Sequence, residues 1–136
     1  HPDLVYAMDL EGHYTEVNEQ FLRLAGAGPE KIIGRLFDER VEPSQREMVR
    51  AHFQAATLGE ARSYEMIGVA IDGTRVDLRV TNLPIVVDGR VTGVFGIAQD
   101  ISLLRKHQRE LSDALDAAES LGGQLDRLSE ASLSIN

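Results

Sequence analysis

No cysteine occurs in the 136 residues. A disulfide framework, a thiolate metal site and a cysteinyl flavin adduct are therefore excluded. Tryptophan is absent too, and the remaining aromatics are 4 Phe and 3 Tyr, too few for a nucleic-acid surface built on base stacking. Basic residues are in the minority, with 14 Lys and Arg against 22 Asp and Glu and a formal charge of −8. That balance disfavours DNA, RNA or an anionic membrane as the main partner. No apolar run approaches the roughly 20 residues of a membrane-spanning helix, and no signal peptide is visible. The expectation is a cytoplasmic protein with no nucleic-acid partner and no direct membrane contact.

What is there reads as one folded domain. Hydrophobic residues make up 43% and charged residues 26%, the balance of a globular chain. If the terminal helix described below projects away, about 100 residues remain, enough for one core and a small cavity. The chain opens at His1 on a strand pattern and stops at Asn136 within a helical one. It reads as a piece excised from a longer protein.

Leu4–Met8 is a short apolar strand, followed by a turn over Asp9–Gly12 and a returning strand over His13–Val17, a hairpin. Asn18 is placed to cap a short helix carrying Phe21, Leu22, Leu24 and Ala25, which Gly26 ends. Pro29–Gly34 reads as one helical turn, and 35–43 as a mixed segment of loop and short turn. Ser44 with Glu47 matches the S-x-x-E capping box and opens a longer helix that stops at Gly59. Three strands complete the pattern. Ser63–Ile71 ends at Asp72-Gly73 and Thr74–Val87 ends at Asp88-Gly89, both hairpin signals. Arg90–Ile101 follows. Val76, Leu78 and Val80 alternate inward, and Pro84 implies a bulge or an edge position. Gly93 and Gly96 permit curvature or close approach of another group. Strands around a helical insert imply α+β, with a five-stranded antiparallel sheet.

After Ser102 the hydrophobic period changes from about 2 to about 3.5. Leu104, Leu111, Ala118 and Leu125 keep a seven-residue spacing, with Leu115, Leu121 and Leu128 at companion positions. This is a heptad seam of the kind that joins helices into a coiled coil. The companions shift phase beside Gly122-Gly123, glycines that each cost roughly 1 kcal/mol in a helix. The seam points to a homodimer, parallel or antiparallel. Folding of the helix back on the sheet is the alternative.

The run from Leu4 to Asn18, then Phe21-Leu22, Ile33-Gly34, Gly59-Glu60, Asp72-Gly73, Gly93-Val94-Phe95-Gly96 and Asp100-Ile101-Ser102, resembles a PAS domain followed by a signalling helix. The last three residues resemble the family's D-I-T junction, with Ser for Thr. The resemblance covers residues 3 to 102 and implies a PAS domain over 1–102 and a signalling helix or linker over 103–136. The tail from Leu128 is similar to the helical lead-in of a GAF domain. The resemblance implies a PAS-type sheet with small helices and one longer helix on one face. It also implies a sensory and dimerisation module, not an enzyme, coupled in cis to a kinase, phosphatase, cyclic-nucleotide enzyme or GAF domain.

The family's cavity lies between the sheet and the longer helix, and inward parity supplies Met8, Val49, Phe53, Met66, Leu78, Val80 and Phe95 as its candidate lining. His52 joins them because haem-binding relatives carry an axial histidine on this helix. A small apolar ligand, haem, non-covalent flavin and an empty cavity remain open, with no cofactor as the leading expectation. Asp100 and Ser102 are the signal-junction candidates, since either can cap the helix. His107 superficially resembles a phosphoacceptor but fits a solvated helix face. His13 with Asp9, Glu11 and Glu16 fits an exposed turn better than a metal site. Gly93-x-x-Gly96 lies inside a strand and fails the context of a phosphate loop.

Overall fold

The computed structural model describes residues 3–135, with side-chain surroundings for residues 3–122. Leu125, Leu128, Gly123 and the tail likened to a GAF lead-in lie outside the residues whose side chains are described. The chain divides into two units, 1–102 and 103–136.

The first unit is a five-stranded antiparallel sheet with its helices inserted between the second and third strands. The strands are β1 (Leu4–Met8), β2 (Tyr14–Val17), β3 (Arg62–Val69), β4 (Arg75–Val87) and β5 (Arg90–Asp100), in spatial order β2-β1-β5-β4-β3. The N-terminal hairpin and the C-terminal meander therefore meet where β1 pairs with β5, from Leu4↔Ala98 to Met8↔Val94. The helices are α1 (Glu19–Ala25) and α2 (Arg46–Thr57).

Local chemistry accounts for most boundaries. Gly12, at φ 93°, closes the first turn, and Asp9 Oδ1 accepts from the amides of Glu11 and His13 across it. Asn18 Oδ1 accepts from the Phe21 amide at 3.0 Å as the α1 cap. The same oxygen accepts from Val5 at 3.1 Å, and Asn18 Nδ2 donates to the Asp3 carbonyl. One side chain thus starts α1 and ties it to β1. Asp88 and Gly89 both take positive φ, 50° and 75°, as the tight turn between β4 and β5 requires. Pro84 lies beyond Asn82, the last β4 residue paired with β3. Its missing N–H falls where one flank of β4 has no ladder partner, and a bulge follows between Ile85 and Val86.

The capping box does not form. A 3₁₀ turn over Pro43–Gln45 precedes α2, and Gln45 occupies the cap position without a side-chain cap bond. Pro43 starts the helical turn early, so Ser44 lies within it and not in the extended conformation that a cap needs. Gln45 Oε1 instead accepts from the Ile67 amide, anchoring the start of α2 to β3.

Val49, Phe53 and Ala56 form the buried stripe of α2. On the facing side of the sheet, Val76, Leu78 and Val80 are buried on β4, and Tyr6 and Met8 on β1. The described residues of the second unit belong to one helix, α3 (Ser102–Ile135), whose first residue lies in the first unit. Leu104, Leu111, Leu115 and Leu121 are exposed along it.

Candidate functional site

A cavity of about 60 Å³ lies between the sheet and the inserted helices. Six of the expected residues line it: Met8, Val49, Phe53, Met66, Leu78 and Val80. Its wall is continuous with an aromatic cluster in which Tyr6, Tyr14 and Phe21 meet edge-to-face at centroid distances of 5.1–5.8 Å.

Two expected residues are not in the wall. Phe95 is half-buried on the opposite face of the sheet, in a row with Ala7 and Leu83. The inward residues of β5 are Val94, Gly96 and Ala98. The run Val94–Ala98 is apolar at every non-glycine position, so period-2 parity cannot be read from it, and pairing with β1 and β4 decides it. His52 does not line the cavity either. Its ring stacks on Tyr64 at 4.4 Å and an interplanar angle of 4°. Burial, with the Arg62 charge second, lowers its pKa from the ordinary 6.5. An axial haem ligand would have to reach the cavity, and this imidazole is committed to a tyrosine face. The cavity is also small against the roughly 300–1,000 Å³ of pockets that enclose drug-sized ligands.

The polar part of the wall was not anticipated. Tyr6 on β1, Gly96 on β5 and Asn82 on β4 occupy one cross-strand row. The Tyr6 ring lies over Gly96, and its hydroxyl donates to Asn82 Oδ1 at 3.2 Å. Asn82 Nδ2 in turn donates to the Tyr64 hydroxyl at 3.0 Å. Asn82 is 1% exposed, so its amide must find partners inside the protein. Burial raises the pKa of the Tyr6 and Tyr64 hydroxyls, Tyr64 to about 12, so both stay neutral donors and acceptors at any ordinary pH. Asn82 shares the inward parity of Val76, Leu78 and Val80, a signal that would have found it. Arg40, in the 3₁₀ turn Phe37–Arg40, is the one charged residue among the described residues of the cavity wall. Nothing in the sequence marks it, because loop packing alone places it.

The passage out of the sheet is tied at three points. The Ser102 amide donates to Asp100 Oδ1 at 2.9 Å, so Asp100 caps the start of α3. Ile101 is buried, and its amide donates to the Asp77 carbonyl at 2.9 Å. Ser102 Oγ accepts from the Asp77 amide at 3.3 Å. Ser102 therefore binds β4 and not the free amides of α3. Elsewhere, His13 Nδ1 pairs with Asp9 Oδ2 at 3.2 Å, and His107 is exposed on α3.

Comparison with known proteins gives a consistent picture. A family model described as PAS fold matches residues 1–106. The PAS domain of a protein from Colwellia psychrerythraea superposes with a TM-score of 0.67 at 23% identity, over 74% of this chain and 86% of that one. The PAS domain of an HTR-like protein from Haloarcula marismortui gives 0.64 at 25% identity, over 74% and 82%. The N-terminal domain of a diguanylate cyclase with a PAS/PAC sensor from Marinobacter aquaeolei gives 0.67 at 19% identity, over 76% and 98%. No curated protein sequence matches.

Proposed function

Because the chain belongs to the PAS fold family, we propose that it is a sensory and dimerisation module that relays the state of its cavity or dimer to a C-terminal effector. The relay passes through α3 as a coiled-coil linker, and the PAS domain occupies residues 1–102.

The observation that carries this reading is the junction at Asp100-Ile101-Ser102. The β5 strand enters α3 without an intervening loop, and Asp77 on β4 holds Ile101 and Ser102 through both its carbonyl and its amide. A shift of β4 at the cavity wall therefore acts on Ile101 and on Ser102, the first residue of the helix, through one hydrogen bond to each. Leu78, next to Asp77, is part of that wall. A flexible loop at this point would dissipate such a shift.

The exposed leucines Leu104, Leu111, Leu115 and Leu121 support a second helix as the partner of α3. A kinase or cyclase as the effector is supported by the company such domains keep. One similar structure belongs to a diguanylate cyclase and another to a sensor histidine kinase from Geobacter sulfurreducens.

The test is output regulation in the full protein carrying Asp100→Ala. Loss of regulation with retained folding is the expected result. Regulation equal to that of the unchanged protein would refute the junction as the relay.

The apolar cavity favours a receptor variant of the same reading, in which a bound small apolar molecule sets the relayed state. Retention of a ligand mass by the purified protein in native mass spectrometry distinguishes it from a module whose cavity stays empty.

A further inference from the structure

Besides Tyr14, the cavity wall carries two polar loci, and they differ in one respect. The Tyr6–Asn82–Tyr64 chain is internally matched, with the Asn82 carbonyl accepting and its amide donating. Arg40 is not. Its Nη1 is buried and has no hydrogen-bond partner among the described residues.

The carboxylates around Arg40 in sequence are already committed. Asp38 pairs with Arg50, Glu39 with Arg35, and Glu42 with Arg75. The guanidinium charge nevertheless acts on the cavity. Burial, above all, raises the Tyr14 hydroxyl pKa, and Arg40 is the group that opposes the rise. Arg40 as a whole is half-buried, but a buried guanidinium nitrogen without an acceptor is costly, and an anion that supplies the missing acceptor recovers that cost as affinity.

We propose that the cavity binds a short apolar carboxylic acid, its carboxylate on Arg40 and its hydrocarbon tail among Met8, Val49, Phe53 and Leu78. The proposal rests on the receptor variant above and gives it a ligand class.

Three features select this chemistry. The guanidinium is planar and matches a carboxylate in two-point fashion. The rest of the wall is apolar apart from Tyr14 and the satisfied tyrosine–asparagine chain. A water needs about 10–15 Å³ of cavity space, so about 60 Å³ suits a handful of heavy atoms and excludes a long acyl chain. The chain's formal charge of −8 repels free anions in general, so the tail must supply part of the affinity. Each added methylene contributes about fourfold until the ligand outgrows the cavity.

The experiment is isothermal titration calorimetry of the 136-residue chain with butanoate, hexanoate and octanoate, each paired with the alcohol of equal length. The expected result is an optimum at a short chain length and a preference of about 10- to 100-fold for acid over alcohol, the range of a charged hydrogen bond. Arg40→Gln should abolish the preference, and Arg40→Lys should restore part of it. Equal binding of acid and alcohol, or an Arg40→Gln chain that keeps the preference, overturns the assignment of the carboxylate to Arg40 and leaves an apolar receptor. Binding of neither series overturns the ligand class and the receptor variant together, while the relay through α3 stands on its own test. If Arg40→Gln does not fold, the acid-over-alcohol comparison on the unchanged chain decides.

Discussion

A methyl group on Gly96 would stand 2.1 Å from Cζ of Tyr6, inside the ring. Tyr6 and Asn82 belong to strands two places apart, about 9.5 Å across the sheet, and Gly96 is the residue between them. The tyrosine can lie across the middle strand only because that strand presents no side chain. Gly96 is thus a structural condition for the one polar chain that crosses the cavity wall.

Gly96→Ala is expected to destabilise the fold by about 1–3 kcal/mol, the cost of overpacking a full core. Tyr6 cannot swing aside cheaply, since it is buried and bonded to Asn82. Urea denaturation measures the loss, and pairing the change with Tyr6→Val should recover part of it. Full stability of Gly96→Ala alone would contradict the geometry.

Asn82→Ala removes the centre of the polar chain and leaves two tyrosine hydroxyls short of a partner. The expected loss is about 2–4 kcal/mol, since each buried group left unsatisfied costs more than its hydrogen bond contributed. Tyr64→Phe should cost less, because Tyr64 is only half-buried and one bond is lost. Equal midpoints for Asn82→Ala and the unchanged chain in chemical denaturation would disprove the role of the network.

All three tyrosines have raised pKa values, chiefly through burial: Tyr6 and Tyr14 well above the ordinary 10.0, and Tyr64 to about 12. The unfolded chain loses these protons near pH 10, while the folded chain keeps them. Between these values the folded state binds more protons than the unfolded one, so stability falls as pH rises. Stability from this source is complete below pH 10 and declines as the pH climbs towards 12 and beyond. Tyrosinate absorbance, uncomplicated by tryptophan, should appear together with loss of ellipticity. Phenolate forming in a fully folded chain near pH 10 would rule this out.

Leu111→Asp together with Leu115→Asp should turn a dimer into a monomer in sedimentation velocity, because both leucines are exposed along α3 and charges in a coiled-coil seam are unfavourable. The melting temperature of the sheet domain should change little. An unchanged chain that sediments as a monomer at micromolar concentration would remove the seam as a dimer interface.

Local interactions are the part of this protein that its sequence determined. The first hairpin, the Asn18 cap, Gly26 as the end of α1, the Val76–Val80 alternation and the Asp88-Gly89 turn each depend on residues within a few positions, so pattern alone reveals them. Where two local signals competed, as Pro43 did with the Ser44 capping box, proximity in sequence was not enough to rank them. Six of the eight expected cavity residues lie in the wall for the same local reason, since helix and strand periodicity had assigned them a side.

Tertiary structure alone decided the strand order β2-β1-β5-β4-β3 and, through it, the meeting of Tyr6, Gly96 and Asn82. It also put Phe95 on the far face, turned His52 onto Tyr64 and left the Nη1 of half-buried Arg40 without a hydrogen-bond partner among the described residues. Each outcome depends on partners far apart in the chain, 76 positions for Tyr6 and Asn82. The stretch into α3 shows both levels together. Its sequence marks a strand becoming a helix, but the binding of Ser102 to Asp77 arises only when β4 and β5 pair.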